Sequence, residues 1–253
     1  MRPVALLTDF GLSDHYVGVL HAVLERDAPG LARIDLGHGV DPGDIWDASF
    51  QLRCAWPDLP DDCVVMAVVD PGVGTSRRVV ALAVGDRFLV APDNGLAAAV
   101  GPTATVVTLD WRRMGLDEPS PTFHGRDLFA PAAARLAAGA DLLSLGEVVA
   151  VDTLLPCPLP EPNQGALGID AVILHVDRFG NLVTSVRTVN HPDVTMATFA
   201  GRMARRVRTY AEAQPDEVVL LEGSAGYLEL AVNCGSAAEA TGLERGDTVV
   251  FSD

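Results

Sequence analysis

Short apolar runs alternate with longer amphipathic ones along the first part of the chain. Val4–Leu7 and Ala32–Leu36 are short and apolar, whereas Tyr16–Leu24 and Ile45–Trp56 place apolar residues at helical spacing. This alternation predicts a strand, a helix, a second strand and a second helix, in that order. Further Val-rich runs bounded by Gly, Pro or Asp predict buried strands at Val64–Val69, Val79–Val84, Phe88–Val90 and Thr105–Leu109.

The remainder of the chain predicts a second, smaller domain. Asp127–Ala138 has apolar residues at helical spacing, and we expect this helix to close the first domain. Alternating prolines then favour an extended connection. We predict an α/β domain over residues 1–155, a linker over 156–163 and a β-rich domain over 164–253. Its predicted strands are Ile169–Val176, Val218–Leu221, Tyr227–Val232 and Thr248–Phe251.

Composition narrows the class of protein. The 253 residues are 49% hydrophobic, which indicates a globular chain and argues against disorder. The net charge of -16 disfavours nucleic acids and anionic membranes as partners and suits a cationic ligand. The 4 cysteines contain no CxxC pair, and no run has the length of a bilayer span or a signal peptide core. We therefore expect a cytoplasmic protein.

Two carboxylates follow the first predicted strand. The segment TDFGLSD carries Asp9 and Asp14 in a strand-to-helix loop, where ligands gather in open parallel sheets. An aspartate in this position can bind a ribose diol. The alternative is that either aspartate caps the helix beginning near Tyr16.

A glycine-containing loop with an acid and two arginines follows the strand Val64–Val69. The segment DPGVGTSRR contains Asp70 and Arg77, but it has neither a Walker lysine nor the third glycine of a dinucleotide motif. Nucleoside triphosphates and dinucleotides are therefore disfavoured as ligands. The alternative is an ordinary turn with a surface ion pair.

Three further segments offer polar groups at element ends. Asn94 lies in PDNG, which is also a common tight turn, and His124 precedes a predicted helix, where it can orient or deprotonate water. Asp177, Phe179 and Asn181 lie in HVDRFGN and offer an acid, an aromatic face and an amide. No second ligand pair at zinc-site spacing accompanies this last segment, so we expect no metal site.

Taken together, six segments in order resemble the adenosylmethionine hydroxide adenosyltransferase family, whose relatives include fluorinase and chlorinase. The segments are LLTDFGLSD, VVDPGVGTSRR, APDNG, TFHGRD, HVDRFGN and SAGYLELAVN. The resemblance covers nearly the whole chain. It implies an N-terminal α/β sandwich-like domain with a mainly parallel sheet, a C-terminal β-barrel-like domain, and a homotrimer with substrate held between neighbouring subunits.

The implied reaction is hydrolysis of S-adenosylmethionine to adenosine and methionine, with no cofactor. The resemblance matches Asp70, Arg77 and His124 to a catalytic triad that holds and activates water, and it leaves open which residue is the base. Water attacks C5′ of the ribose in line with the sulfonium. The neutral thioether that leaves needs no general acid.

The resemblance also implies substrate contacts. It places Asp9 on the ribose hydroxyls, Asp14 and Asp177 near the methionine ammonium, and Phe179 and Asn181 near the adenine. The less direct matches are Asn94, Ser224 on the methionine carboxylate, and Asn233 in the segment that reads the adenine edge. Ala225 departs from the family, because fluorinase has an arginine there that helps to hold the carboxylate.

Two alternative functions use the same fold. In a halogenase, chloride or fluoride replaces water, but fluorinase-like members have tyrosine, threonine, tyrosine and serine where this chain has Asp70, Val73, His124 and Gly125. A carboxylate at position 70 would also repel a halide in a desolvated pocket. A non-catalytic sensor of adenosylmethionine or adenosine is the second alternative, and the complete triad argues against it.

Overall fold

The computed structural model describes residues 1–252. The first compact unit is Met1–Pro158, and the second begins at Leu159. The division lies inside the proline-rich segment 156–163. Within the described residues, no helix has both the length and the apolar character needed to cross a membrane.

The first unit is a sheet with helices on both faces. The strands are β1 (Val4–Thr8), β2 (Arg33–Gly37), β3 (Val64–Val68), β4 (Val79–Val84), β5 (Arg87–Pro92), β6 (Thr105–Leu109) and β7 (Gly146–Val149). They lie in the order β2-β1-β3-β5-β4-β6-β7. The helices are α1 (Tyr16–Asp27), α2 (Ile45–Ala55) and α3 (Ala130–Ala137).

Strand direction divides this sheet into two parts. The neighbours β2-β1-β3-β5 are parallel, whereas β4 pairs antiparallel with both β5 and β6, and β7 pairs antiparallel with β6. The connection from β4 to β5 is only Gly85 and Asp86. A connection this short joins antiparallel neighbours, because a parallel crossover needs a dozen or more residues.

Alternation along the central strand builds two cores. Val4 and Leu6 of β1 pack in a cluster with α1 and α3, while Ala5 and Leu7 pack in another cluster with α2. Successive side chains of a strand point to opposite faces. The all-apolar run in β1 therefore reflects burial on both faces of the sheet.

The second unit is a nearly closed antiparallel sheet. The strands are β8 (Asn163–Gln164), β9 (Ile169–Val176), β10 (Leu182–Arg187), β11 (Met196–Phe199), β12 (Arg202–Arg205), β13 (Val218–Glu222), β14 (Tyr227–Val232) and β15 (Thr248–Ser252). Their order is β12-β11-β15-β9-β10-β14-β13, and the segment after β12 meets β13 where Val207 N–H donates to the Leu220 carbonyl at 2.8 Å. A short helix, α4 (Ala237–Thr241), accompanies the sheet.

The predicted fold class is confirmed, and the structure adds elements that the sequence pattern did not predict. The added strands are β7, β8, β10, β11 and β12. The helix predicted over 127–138 is a π-helical turn, Gly125–Phe129, that continues into α3. This π-turn directly follows His124, and such turns frequently occur at functional sites.

Two glycines test the packing of the first unit. A Cβ at Gly146 would lie 1.8 Å from the Thr108 carbonyl oxygen on the neighbouring strand, whereas a Cβ at Gly18 in α1 would meet nothing within 4 Å. We expect Gly146→Ala to destabilise the protein by roughly 1–3 kcal/mol through overpacking. Gly18→Ala should stabilise it by about 0.5–1 kcal/mol, because alanine favours the helix. Thermal or urea denaturation of both variants checks this contrast, and a stability loss for Gly18→Ala as large as that for Gly146→Ala would contradict it.

Candidate active site

The carboxyl ends of two neighbouring parallel strands bring two acids to one cavity. Asp9 directly follows β1, and Asp70 follows β3 after Val69. Parallel neighbours end at the same edge of a sheet, which is where ligands bind in such folds. The cavity has a volume of about 350 Å³, within the range of small-molecule sites. It is lined by Asp9, Phe10, Tyr16, Val68, Asp70, Val73, Thr122, Phe123, His124 and Gly125.

Arg77 joins Asp70 to His124. Its Nε donates to Asp70 Oδ1 at 3.0 Å and to Oδ2 at 2.9 Å, and its NH2 group also donates to Oδ2. The same NH2 group lies 2.7 Å from His124 Nδ1. The side chains of Arg77 and Asp70 are 11% and 6% exposed, respectively. The alternative of a surface ion pair is therefore wrong, and burial increases the Coulomb attraction between the two charges relative to an exposed pair.

The loop that carries Asp70 is a sequence of tight turns. Val73 N–H donates to the Asp70 carbonyl at 3.2 Å, and the Thr75 hydroxyl donates to the Gly72 carbonyl at 2.6 Å. Gly74 has φ +78, and a Cβ there would lie 2.4 Å from the Pro121 carbonyl oxygen. Glycine is required at this position because the loop packs directly on the backbone of the segment that leads to His124.

The hydrogen bond from Arg77 fixes the tautomer of His124. Burial first, and then the Arg77 charge, lower the pKa of His124 despite the opposing effect of Asp70 and Asp127. The imidazole is therefore neutral at pH 7. A guanidinium has no acceptor, so His124 Nδ1 must accept from Arg77, and the imidazole proton resides on Nε2.

Asp9 and Asp14 have different surroundings. Asp9 Oδ2 accepts from Gly43 N–H at 2.8 Å. Burial raises the pKa of Asp9, the bond from Gly43 opposes this, and the Asp70 charge adds to the rise. Asp14 is exposed and does not line the cavity. The N-cap of α1 is His15, and no side chain makes a capping hydrogen bond there. The alternative that Asp9 or Asp14 caps this helix is therefore wrong.

Aromatic residues form one side of the cavity and were missed by the sequence reasoning. The rings of Phe10, Tyr16 and Phe123 pack edge to face or tilted, with centroids 5.3 to 6.0 Å apart. The faces of such rings attract cations. Phe10 directly follows Asp9, and Phe123 directly precedes His124. This adjacency to predicted site residues is the sequence feature that could have identified both rings.

Asn94 supports the site from outside the cavity. Its amide donates to the Val69 carbonyl at 2.9 Å, and its Oδ1 accepts from Leu96 N–H at 3.2 Å. Val69 immediately precedes Asp70. In this unit Asn94 thus holds the strand end that positions the acid, and it is not among the residues that line the cavity.

In the second unit, Asp177 organises the turn between β9 and β10. Its Oδ1 accepts from the backbone N–H groups of Phe179 and Asn181, and its Oδ2 accepts from the Asn181 side chain at 2.9 Å. This arrangement is an Asx turn, which explains why an aspartate occurs there. Phe179 is 76% exposed and Asn181 is buried.

Phe179 and Asn181 line a cavity within the second unit. Its volume is about 540 Å³, and its other lining residues are Tyr210, Val232, Cys234, Gly235 and Ser236. Ser224 and Asn233 are exposed and do not line it. Among the residues that line it, Tyr210 was missed because it lies in a short irregular segment outside every noted motif. Its hydroxyl donates to buried Glu229 at 2.8 Å, and burial and this carboxylate raise the pKa of Tyr210 to about 12.

The ionisation of His124 provides a direct test of the Arg77 contact. We expect Arg77→Gln to raise the pKa of His124, because the substitution removes a positive charge that disfavours the imidazolium. NMR titration of the histidine ring signals measures this, with His124→Gln used to assign the resonance. Arg112→Gln removes a surface arginine of the same unit and should leave the titration unchanged. An unchanged His124 pKa in Arg77→Gln would contradict the assigned interaction.

Named relatives resemble this chain along its full length. It is 44% identical to a protein from Thermus thermophilus named (R)-S-adenosyl-L-methionine hydrolase, with 97% of this chain and 98% of the relative covered. A protein of the same name from Salinispora tropica is 43% identical, with 96% and 95% covered. The crystal structure of an uncharacterized conserved protein from Thermotoga maritima superposes with a TM-score of 0.90 at 32% identity, covering 99% of this chain and 100% of that one.

Two family models match the chain. Residues 4–146 match the N-terminal domain of the SAM hydroxide adenosyltransferases, and residues 171–250 match their C-terminal domain. The matched segments contain the loops that carry Asp9, Asp70, His124 and Asp177. The chain therefore belongs to the SAM hydroxide adenosyltransferase family.

Proposed function

We propose that this protein hydrolyses S-adenosyl-L-methionine to adenosine and L-methionine, with water as the nucleophile at C5′ of the ribose. The observation that carries the proposal is the nearly buried ion pair of Asp70 and Arg77, joined to the half-buried His124, at a cavity that also contains Asp9. The names of relatives at 43% and 44% identity support the same activity. The protein supplies all of the catalytic groups, and adenosylmethionine is the substrate.

For this reaction, the correct position of a single water molecule matters more than acid catalysis. Displacement at C5′ breaks the C–S bond, and the electron pair stays on sulfur, so methionine leaves as a neutral thioether. The water oxygen forms the new C–O bond and must lose one proton. Fixing water in line with the C–S bond replaces an encounter in solution with a positioned attack.

Asp70 is the group best suited to accept the hydrogen bond and the proton from water. Arg77 is always protonated, and neutral His124 already has its proton on Nε2, so that nitrogen cannot take another without becoming cationic beside Arg77. A carboxylate has about four acceptor positions, more than Arg77 uses. In this proposal His124 donates to and orients the water.

The other groups are assigned to the substrate. Asp9 binds the ribose hydroxyls, and the aromatic side formed by Phe10, Tyr16 and Phe123 receives the sulfonium, which is a cation. Asp14 and Asp177 attract the methionine ammonium.

The remaining contacts are to the adenine and the carboxylate. Phe179 stacks on the adenine, Asn181 and the Asn233 segment read its polar edge, and Asn94 acts through the Asp70 loop. Ser224 holds the methionine carboxylate in the absence of an arginine at position 225.

We also propose that the chain acts as a cytoplasmic homotrimer with substrate held between neighbouring subunits. The resemblance of its motifs to the family supports the trimer. The cysteine spacing, which is unlike that of a disulfide framework, supports a reducing compartment.

The products of the reaction test the proposal directly. We expect purified protein incubated with S-adenosylmethionine to form adenosine and methionine in equal amounts, with or without chloride. In water enriched in ¹⁸O, the label should appear in the 5′-hydroxyl of adenosine, as measured by mass spectrometry. Formation of 5′-chloroadenosine would support a halogenase instead, and unchanged substrate with measurable binding would support a sensor.

Replacement of Asp70 tests its role. Asp70→Ala and the isosteric Asp70→Asn should each lower kcat by about 10²–10⁴-fold, because they remove the acceptor for the water proton. Binding of adenosylmethionine, measured by calorimetry, should survive. Asp86→Ala removes an exposed acid from the β4–β5 turn and serves as the control. Near-normal turnover in Asp70→Asn would exclude Asp70 as the base.

A further inference from the structure

A second cluster of titratable side chains lies at the edge of the first unit. His21 projects from α1, Asp35 lies on β2, and His38 follows β2 directly. Asp35 Oδ1 is 2.9 Å from His21 Nε2 and 3.2 Å from His38 Nε2. One nitrogen or oxygen atom from each of the three residues lies within 4.8 Å of the other two. Two imidazoles and a carboxylate are common ligands of Zn²⁺.

The buried histidine of this cluster has one nitrogen without a hydrogen bond. The His38 side chain is only 3% exposed, and among the described residues its Nε2 makes no hydrogen bond, although Asp35 Oδ1 is nearby. Leaving a buried polar nitrogen unsatisfied is costly. A cation placed between Nε2 and the carboxylate removes that cost.

The other nitrogen of His38 is held in the way that is usual for a metal ligand. Nδ1 lies 2.8 Å from the hydroxyl of Thr8, which is fully buried. Metal-binding histidines almost always donate their second N–H to a neighbouring acceptor, which fixes the ring and presents the lone pair of the other nitrogen. With Nδ1–H donated to Thr8, the lone pair of Nε2 faces Asp35 and His21.

Asp35 supplies a carboxylate oxygen, a donor type that Zn²⁺ accepts beside imidazole nitrogens. Its side chain is 45% exposed and that of His21 is 32% exposed. The cluster is therefore open to solvent on one side, which provides a path for an ion and a position for a water ligand.

We propose that His21 Nε2, Asp35 Oδ1 and His38 Nε2 bind one Zn²⁺ ion, with water as the fourth ligand. Zn²⁺ bonds to nitrogen and oxygen are about 2.0–2.1 Å, so tetrahedral ligands lie about 3.3 Å apart. The 2.9 and 3.2 Å separations are close to this value. His21, at the surface of α1, needs the largest adjustment.

The ion would have a positioning role. Besides its contact with Thr8, His38 accepts a hydrogen bond at its backbone carbonyl from Gly11 N–H at 2.7 Å. Thr8 and Gly11 flank Asp9. A metal ion that ties α1 to the end of β2 would therefore stabilise the backbone from which Asp9 projects, without contacting the reacting atoms.

The spacing of these ligands explains why the sequence predicted no metal site. Asp35 and His38 are close in sequence, but His21 comes from the preceding helix, and the set matches no zinc-site spacing. The parallel pairing of β1 with β2 and the packing of α1 bring the ligands together.

Metal titration of the full-length, untagged protein tests the proposal. After removal of metal with a chelator, one Co²⁺ per chain should produce the intense visible absorption of a tetrahedral site, and one Zn²⁺ should abolish it. Zn²⁺ should also raise the Tm of the wild type. A wild-type protein that binds neither ion at one equivalent would overturn the proposal and leave only hydrogen bonding between Asp35 and His21.

Ligand variants locate the site. His21→Ala and Asp35→Asn change partly exposed residues, so they should fold, which circular dichroism verifies. Each should weaken Zn²⁺ binding by about 100-fold or more, beyond the 10–100-fold cost of losing an outer-shell partner. His191→Ala removes a histidine of the second unit and should bind Zn²⁺ as the wild type does. Wild-type affinity in both ligand variants would place the ion elsewhere and refute the assignment.

Discussion

The buried guanidinium of Arg77 is the interaction on which the first unit's cavity depends. It contacts both oxygens of Asp70 and Nδ1 of His124, and it lies 5.8 Å from the centre of the Phe129 ring. A charge with so little exposure needs partners, because an unpaired buried charge costs several kcal/mol. Asp70 balances the charge of Arg77, and His124 accepts a hydrogen bond from the Arg77 NH2 group. The loop after β3 and the π-turn before α3 are thereby joined through one side chain.

This arrangement also assigns chemical states to the neighbours. Because Arg77 always donates, His124 accepts at Nδ1, while the Asp70 carboxylate has acceptor positions that Arg77 does not use. Asp9 feels the negative charge of Asp70 as well as burial, and both raise its pKa. Because Arg77 balances the charge of Asp70, it is Asp9 and the aromatic side of the cavity that favour a cation such as a sulfonium over an anion such as a halide.

Each unit contains a hydrogen-bonded sheet and places its polar groups on the loops at the strand ends. In the first unit, parallel strands buried on both faces end together and present Asp9 and Asp70 at one edge. In the second unit, the carboxylate of Asp177 accepts three hydrogen bonds that fix the turn carrying Phe179 and Asn181. Asp9, Asp70 and the turn with Phe179 and Asn181 are thus placed by hydrogen-bonded backbone next to the strands.

The sequence by itself determined the strands and helices with the strongest patterns, the α/β character of the first unit and the family. Buried strands such as β1 and β3 are apolar throughout, and the loops after them contain acids in short, distinctive segments. Neither the antiparallel direction of β4 nor strands β10, β11 and β12 were predicted. Strands β10, β11 and β12 mix polar and apolar residues. They form because a neighbouring strand satisfies their backbone hydrogen bonds.

Only the tertiary structure decided what each candidate residue contacts. It buried Arg77 between Asp70 and His124, left Asp14 exposed, gave Asn94 a supporting contact with Val69, and added Tyr210 to the cavity of the second unit. It also assembled His21, Asp35 and His38 from a helix, a strand and a loop. The physical reason is that burial and the distance between side chains depend on packing across the sheet, whereas local sequence specifies only which residues are available.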